Sequence, residues 1–95
     1  MSLNELSPPP LAQNPAAQEV LRVWAVADTS QEYVLQPTWN DPAAWGLMLV
    51  DIARHAARAY ARAGQLTEQQ VLERIYWGFN VEWRAPTDPG QQVHG

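Results

Sequence analysis

Proline-rich ends confine the foldable part of this chain to about 66 residues, 19–84. A proline triplet at 8–10 stands in a leader, residues 1–18, whose other residues are mostly Asn, Gln, Ser, Glu and Ala, and residues 85–95 are rich in Pro, Gly and Gln. Proline donates no backbone hydrogen bond, and the polar residues around it supply little surface to bury. We therefore expect flexible, disordered termini on either side of a single domain.

Composition excludes several classes of function. The chain has no Cys, which excludes disulfides, thiol nucleophiles and Cys-based metal centres. Its basic residues are six Arg against ten acidic residues, a net charge of −4, and this balance argues against a nucleic-acid partner. No apolar run reaches the roughly 18 residues that cross a bilayer, and the acidic start does not fit a signal peptide. We expect a cytoplasmic protein with no membrane partner.

Two short segments predict an antiparallel β-hairpin. Residues 20–26 are rich in β-branched and aromatic side chains, and residues 31–36 alternate between apolar and polar ones before Pro37. A polar turn at 27–30 joins them. Because both faces of the first segment carry apolar groups, we expect both of its faces to be covered.

Local start and stop signals predict two helices that fold back on each other. Asp41-Pro42 is suited to a helix start, and Gly64 is suited to its end. Thr67 and Gln70 have the spacing of a capping box at the start of a second helix. Because the link between the helices is short, they should form an αα-hairpin. The predicted fold class is therefore α+β, in the order β-β-α-α.

The helical repeat of about 100° per residue predicts which sides of the helices form the core. The predicted core residues are Trp45, Met48, Leu49, Ile52, Ala56, Ala59, Tyr60 and Ala63 in the first helix and Leu72, Ile75, Tyr76, Phe79 and Trp83 in the second. Trp77 points about 140° away from this stripe, close to Val81. Single exposed apolar residues are ordinary, but a back-face Trp beside a Val is typical of an interface anchor.

One edge of the first helix carries the candidate polar site, which consists of Asp51, His55, Arg58 and Arg62. Asp51 precedes His55 by four residues, so the helix places a carboxylate and an imidazole on one edge. Such a strip could hold an anionic substrate or could be a salt-bridged helix edge beside the core. No catalytic motif, metal-ligand spacing or phosphate loop is present, so the sequence predicts no catalytic residue, no metal site and no cofactor.

The small size of the domain favours self-association. A segment of about 66 residues buries only around 60 % of its unfolded surface and is marginally stable alone. Without disulfides, a second copy would supply the missing core. We predict a cytoplasmic homodimer that acts by non-covalent contact with itself or with an unidentified protein, as an interaction or regulatory protein. Its contact surfaces would be the Trp77–Val81 side and the polar strip. The alternative is a small-molecule-binding protein or enzyme with a site around His55.

Two segments carry a family resemblance: Val20-Leu21-Arg22-Val23-Trp24 and the helix start from Asp41 to Ala56. They resemble a family of short bacterial proteins grouped as a domain of unknown function, and the likeness extends over about residues 19–84. It is a similarity of the whole pattern and includes no catalytic motif. The resemblance implies a free-standing bacterial cytoplasmic protein with a hairpin followed by helices, and it implies no activity or site residue.

Overall fold

The computed structural model describes residues 4–85 and the backbone of residues 91–93. In chain order these residues form a 3-10 turn (Pro10–Gln13), β1 (Leu21–Val26), β2 (Ser30–Leu35), α1 (Ala43–Ala63), α2 (Glu68–Arg84) and β3 (Gln91–Val93). The chain divides between Thr38 and Trp39 into a compact unit with the strands and a compact unit with the helices. The hairpin followed by two helices confirms the predicted α+β class. That residues 19–84 form a single domain stays a prediction.

The strand unit is built on the predicted hairpin. β1 and β2 pair antiparallel from Leu21 opposite Leu35 to Val26 opposite Ser30. The N–H and the hydroxyl of Thr29 both donate to the carbonyl of Val26, at 3.1 and 3.0 Å, and so close the turn. Within the turn Asp28 has a φ of 63°, a left-handed conformation that a short polar side chain tolerates.

β3 adds a short strand that the sequence does not predict. It pairs parallel with β2, with Glu32 opposite Gln91 and Val34 opposite Val93. A three-residue segment has too few positions to show the alternation that identifies a strand. The 3-10 turn in the leader is also unpredicted, although proline suits the first position of a helical turn. Residues 1–3, 86–90, 94 and 95 of the predicted flexible ends lie outside the described residues.

The helical unit begins and ends its helices at the predicted signals. The Asp41 carboxylate accepts the N–H of Ala43 at 2.9 Å at the start of α1. Gly64 ends α1 with a φ of 95°, a left-handed conformation that glycine adopts without a Cβ clash. Thr67 Oγ1 accepts the N–H of Gln70 at 3.1 Å, and Gln70 Oε1 accepts the N–H of Thr67 at 2.9 Å. This reciprocal pair is the predicted capping box.

The helices meet along a seam of small side chains. Ala57 of α1 is 0 % exposed and Val71 of α2 is 4 % exposed, and they are the two buried side chains among residues 4–85. By the helical repeat, the half-buried Ala53, Ala61 and Ile75 lie on the same sides of the two helices. Small side chains allow two helices to approach closely, because little bulk separates their backbones.

This seam corrects the predicted core of the helices. Leu49, Ile52 and Tyr60 belong to the predicted core stripe of α1, yet they are 46 %, 44 % and 60 % exposed. Ala57, which the repeat places behind that stripe, is the fully buried residue. The prediction was wrong because a hydrophobicity stripe gives most weight to large side chains, whereas the side of α1 that packs against α2 carries alanines.

Candidate interaction surface

Five large apolar side chains lie on one side of the helical seam. They are Leu49, Ile52 and Tyr60 of α1 and Trp77 and Val81 of α2, and each is 44–60 % exposed. On α1 they lie about 60–140° from Ala57 in the helical repeat, and on α2 Trp77 and Val81 lie about 80–120° from Val71. Because the short link turns the second helix back, these rotations bring both sets to the same side. We term this side the apolar face.

Trp77 is the largest side chain of the apolar face. Its ring is 56 % exposed, and the neighbouring Val81 is 46 % exposed. The guanidinium of Arg74 lies over the indole, with Cζ 4.6 Å from the ring centroid. This cation–π contact favours one orientation of the ring and places the charge of Arg74 against it. The indole is therefore held in place while more than half of it remains open to a partner.

The apolar face is comparable in area to the largest apolar patch of a typical monomer. Large side chains present roughly 150–250 Å² each, so five that are about half exposed offer roughly 500 Å². The largest apolar patch of a typical monomer is about 300–600 Å² and is often functional. The apolar face therefore lies within the range of sizes in which an exposed patch is often functional.

The other side of the seam, which we term the mixed face, carries the predicted polar strip. Arg58 Nε lies 3.9 Å from Glu68 Oε1 rather than pairing with Asp51, and both partners are about half exposed, so this ion pair adds little stability. His55 Nδ1 is 2.7 Å from the main-chain carbonyl oxygen of Asp51. Because a carbonyl only accepts, Nδ1 is the donor in this contact. Arg62 continues the strip one turn further along.

Three exposed aromatic side chains also lie on the mixed face. Phe79 and Trp83 stack with ring centroids 5.6 Å apart and planes 19° apart. Tyr76 and Trp83 are 71 % and 76 % exposed. The sequence prediction placed all three in the core. The spacing of Ala53, Ala57 and Ala61 is the signal that could have located the seam and moved these aromatics to the surface.

The hairpin also exposes apolar side chains. Val23, Trp24 and Val26 of β1 are 46 %, 36 % and 66 % exposed. The expectation that both faces of β1 are covered is therefore wrong for this chain by itself. A depression in the strand unit is lined by Gln18, Glu19, Leu21, Val34, Leu35 and Gln36. His55 is not one of its lining residues, so this depression does not provide the pocket that the alternative function requires.

Metal-binding and membrane-spanning features are absent from the part of the chain that the structure describes. There, no three His, Asp or Glu side chains come together in a way that could hold a metal ion. None of its helices has the length and apolar character needed to cross a membrane.

Comparisons with known proteins agree with the architecture. No curated protein matches the chain. One solved structure, described as that of a putative pyruvate dehydrogenase from the photosynthetic bacterium Rhodopseudomonas palustrus, is 42 % identical in sequence, with a TM-score of 0.75. The alignment covers 95 % of this chain and 94 % of that one. The family described as "Domain of unknown function (DUF5076)" matches residues 5–87 and so spans both helices and the hairpin. The chain therefore belongs to the DUF5076 family.

Proposed function

We propose that this protein acts by non-covalent contact as a homodimer, with the apolar face buried against a second copy. The main support for the proposal is that few side chains are buried while many large apolar side chains are exposed. Among the side chains of residues 4–85, Ala57 and Val71 are buried, whereas seventeen large apolar side chains are exposed. Each Å² of apolar surface removed from water contributes about 25 cal/mol, so covering this surface is the main gain in free energy open to the chain.

A second copy fits the apolar face for reasons of size and charge. A standard interface buries about 800 Å² per partner, and its core is apolar while its rim is polar. The apolar face alone supplies more than half of that area. Its cation, Arg74, lies over the ring of Trp77, and this cation–π attraction, about 2 kcal/mol when desolvated, offsets part of the cost of removing the charge from water. A two-fold dimer needs one such self-complementary surface.

The mixed face is the contact surface for a second protein in this proposal. Its polar strip presents the carboxylate of Asp51, the imidazole of His55 and the guanidinium of Arg62 beside exposed aromatic rings. Aromatic and Arg side chains are enriched where proteins bind one another. A homodimer built on the apolar face leaves this side available on both copies, as a regulatory or interaction protein requires.

The molar mass in solution tests the proposal. We expect light scattering after size exclusion at about 10 μM to give about twice the 10.7 kDa of one chain. Apolar contacts depend little on ionic strength, so the dimer should persist in 1 M NaCl. A mass of one chain at this concentration would overturn the proposal.

A second candidate function comes from the 42 % identical relative, which is described as a putative pyruvate dehydrogenase. On this chain the mixed face has groups that could donate to a small carboxylate: the guanidinium of Arg62 and the Nε2–H of a protonated His55 ring. Titrating pyruvate to 10 mM while following the His55 imidazole by NMR tests this, with acetate at equal ionic strength as the control. A saturable shift with pyruvate alone would support it. No shift, or the same shift with acetate, would exclude His55 from a pyruvate site.

A further inference from the structure

We propose that two copies join edge to edge through their β1 strands and form one continuous sheet. This inference deepens the homodimer proposed above and rests on it. Among the strands that the structure describes, in the order β1-β2-β3, β1 has β2 on one side and no strand on the other, so its other side is an edge. The opposite edge is the three-residue β3, a short edge of the kind that resists pairing. β1, with six residues, is the longer edge.

The register shows which backbone groups of β1 point outward. The N–H of Gln36 donates to the carbonyl of Val20 at 3.1 Å, which makes these two residues a hydrogen-bonded pair. Such pairs alternate along an antiparallel ladder. Leu21, Val23 and Ala25 therefore fall in the alternate positions, and their N–H and C=O groups point away from β2 toward the edge.

The edge of β1 lacks the usual protection against pairing. Among residues 4–18 the backbone hydrogen bonds stay within the leader, so the leader does not pair with β1. Exposed edges are commonly guarded by charged side chains or proline. The charge on β1 is Arg22, which is neutralised by Glu5 at 3.3 Å and by Glu19 at 2.7 Å. The hydrogen bond and charge of Glu19 raise the pKa of Arg22, so the guanidinium stays charged and paired.

The residues whose backbone N–H and C=O groups point toward the edge, Leu21, Val23 and Ala25, are spaced symmetrically about Val23. This symmetry defines the register of the proposed dimer. A two-fold axis at Val23 places Val23 opposite Val23 of the second copy and Leu21 opposite Ala25 of the second copy. Each of these positions exchanges two N–H···O=C bonds, which gives about six bonds across the axis. On the neighbouring positions Arg22 lies opposite Trp24 of the second copy, a favourable cross-strand pair with no like charges opposed.

Cysteine cross-linking tests the register, because the chain has no Cys of its own. In V23C the two Cα atoms across the axis would be about 5.5 Å apart, which lies within disulfide range. In L21C they would be about 13 Å apart, since four residues at about 3.3 Å each separate them. Under mild oxidation we expect V23C to form a cross-linked dimer nearly completely. L21C and A25C should not cross-link alone and should cross-link with each other when mixed.

The outcomes separate this inference from the homodimer itself. A dimeric mass for unoxidised V23C together with its selective cross-linking supports pairing through β1. A dimeric mass with no cross-link at V23C overturns the β1 interface and leaves the homodimer standing. A monomeric mass for the wild-type chain overturns both. Cross-linking of L21C alone would show a different register and would overturn the two-fold axis at Val23.

Discussion

Replacing Trp77 by Ala should weaken the dimer strongly. Trp77 is 56 % exposed, so a side chain of about 250 Å² offers roughly 140 Å² to a second copy. At about 25 cal/mol per Å² this area is worth roughly 3.5 kcal/mol per copy, and a symmetric dimer loses it twice. Incomplete burial reduces this value, but a buried Trp anchor commonly contributes at least about 2 kcal/mol. Lost from both copies, this amounts to about 4 kcal/mol, so we expect W77A to raise the Kd of the dimer by roughly 700-fold.

W83A is the matched control, and sedimentation equilibrium over a range of concentrations is the assay. Trp83 lies on the same helix and is more exposed, at 76 %, but it belongs to the mixed face. W83A should change the Kd by less than about 10-fold, a difference of about 1.4 kcal/mol. If W83A weakened the dimer more than W77A, the apolar face would be the wrong face and the reasoning from the seam would fail.

Three further predictions concern the seam, the helix link and the strand edge. A57L should lower the free energy of unfolding in urea by about 1–3 kcal/mol, because the seam is closely packed. A59L, on the exposed side of the same helix, is the control and should not lower it. Equal effects of the two substitutions would contradict the assigned seam. G64A should lower the same free energy by about 1 kcal/mol because of its φ of 95°, and no loss would contradict that conformation. V23P should raise the Kd of the dimer, because it removes the outward N–H of Val23, and should keep the β-sheet signal in circular dichroism; an unchanged Kd would contradict pairing through β1.

The local signals of the sequence predicted the ends of the helices and the hairpin. Asp41 and Thr67 accept hydrogen bonds from backbone N–H groups no more than three residues away. Gly64 adopts the left-handed backbone conformation that ends α1. Interactions of this range depend little on the rest of the fold, so a pattern in the sequence is sufficient to find them. The same applies to the turn at Thr29, where two hydrogen bonds to Val26 close the hairpin.

The phase of the helices could not be predicted in the same way. Which side of a helix is buried depends both on the size of its apolar side chains and on how closely another helix can approach. A hydrophobicity pattern measures the first of these and not the closeness of approach. The buried residue of α1 is therefore Ala57, whereas the prediction expected Leu49 and Ile52 to be buried. Trp77 lies outside the core in both the prediction and the structure, because the helical repeat places it far from the predicted core stripe and also from Val71 in the seam. Its role as an interface anchor stays a prediction.

The central claim is that this chain completes its core against a second copy, and the concentration dependence of thermal unfolding tests it most directly. When folding and association are coupled, the Tm rises with protein concentration by mass action. We expect the Tm to rise steadily, by several degrees, between 1 and 100 μM, and to rise less in W77A. A Tm that stays constant over this range would contradict the claim.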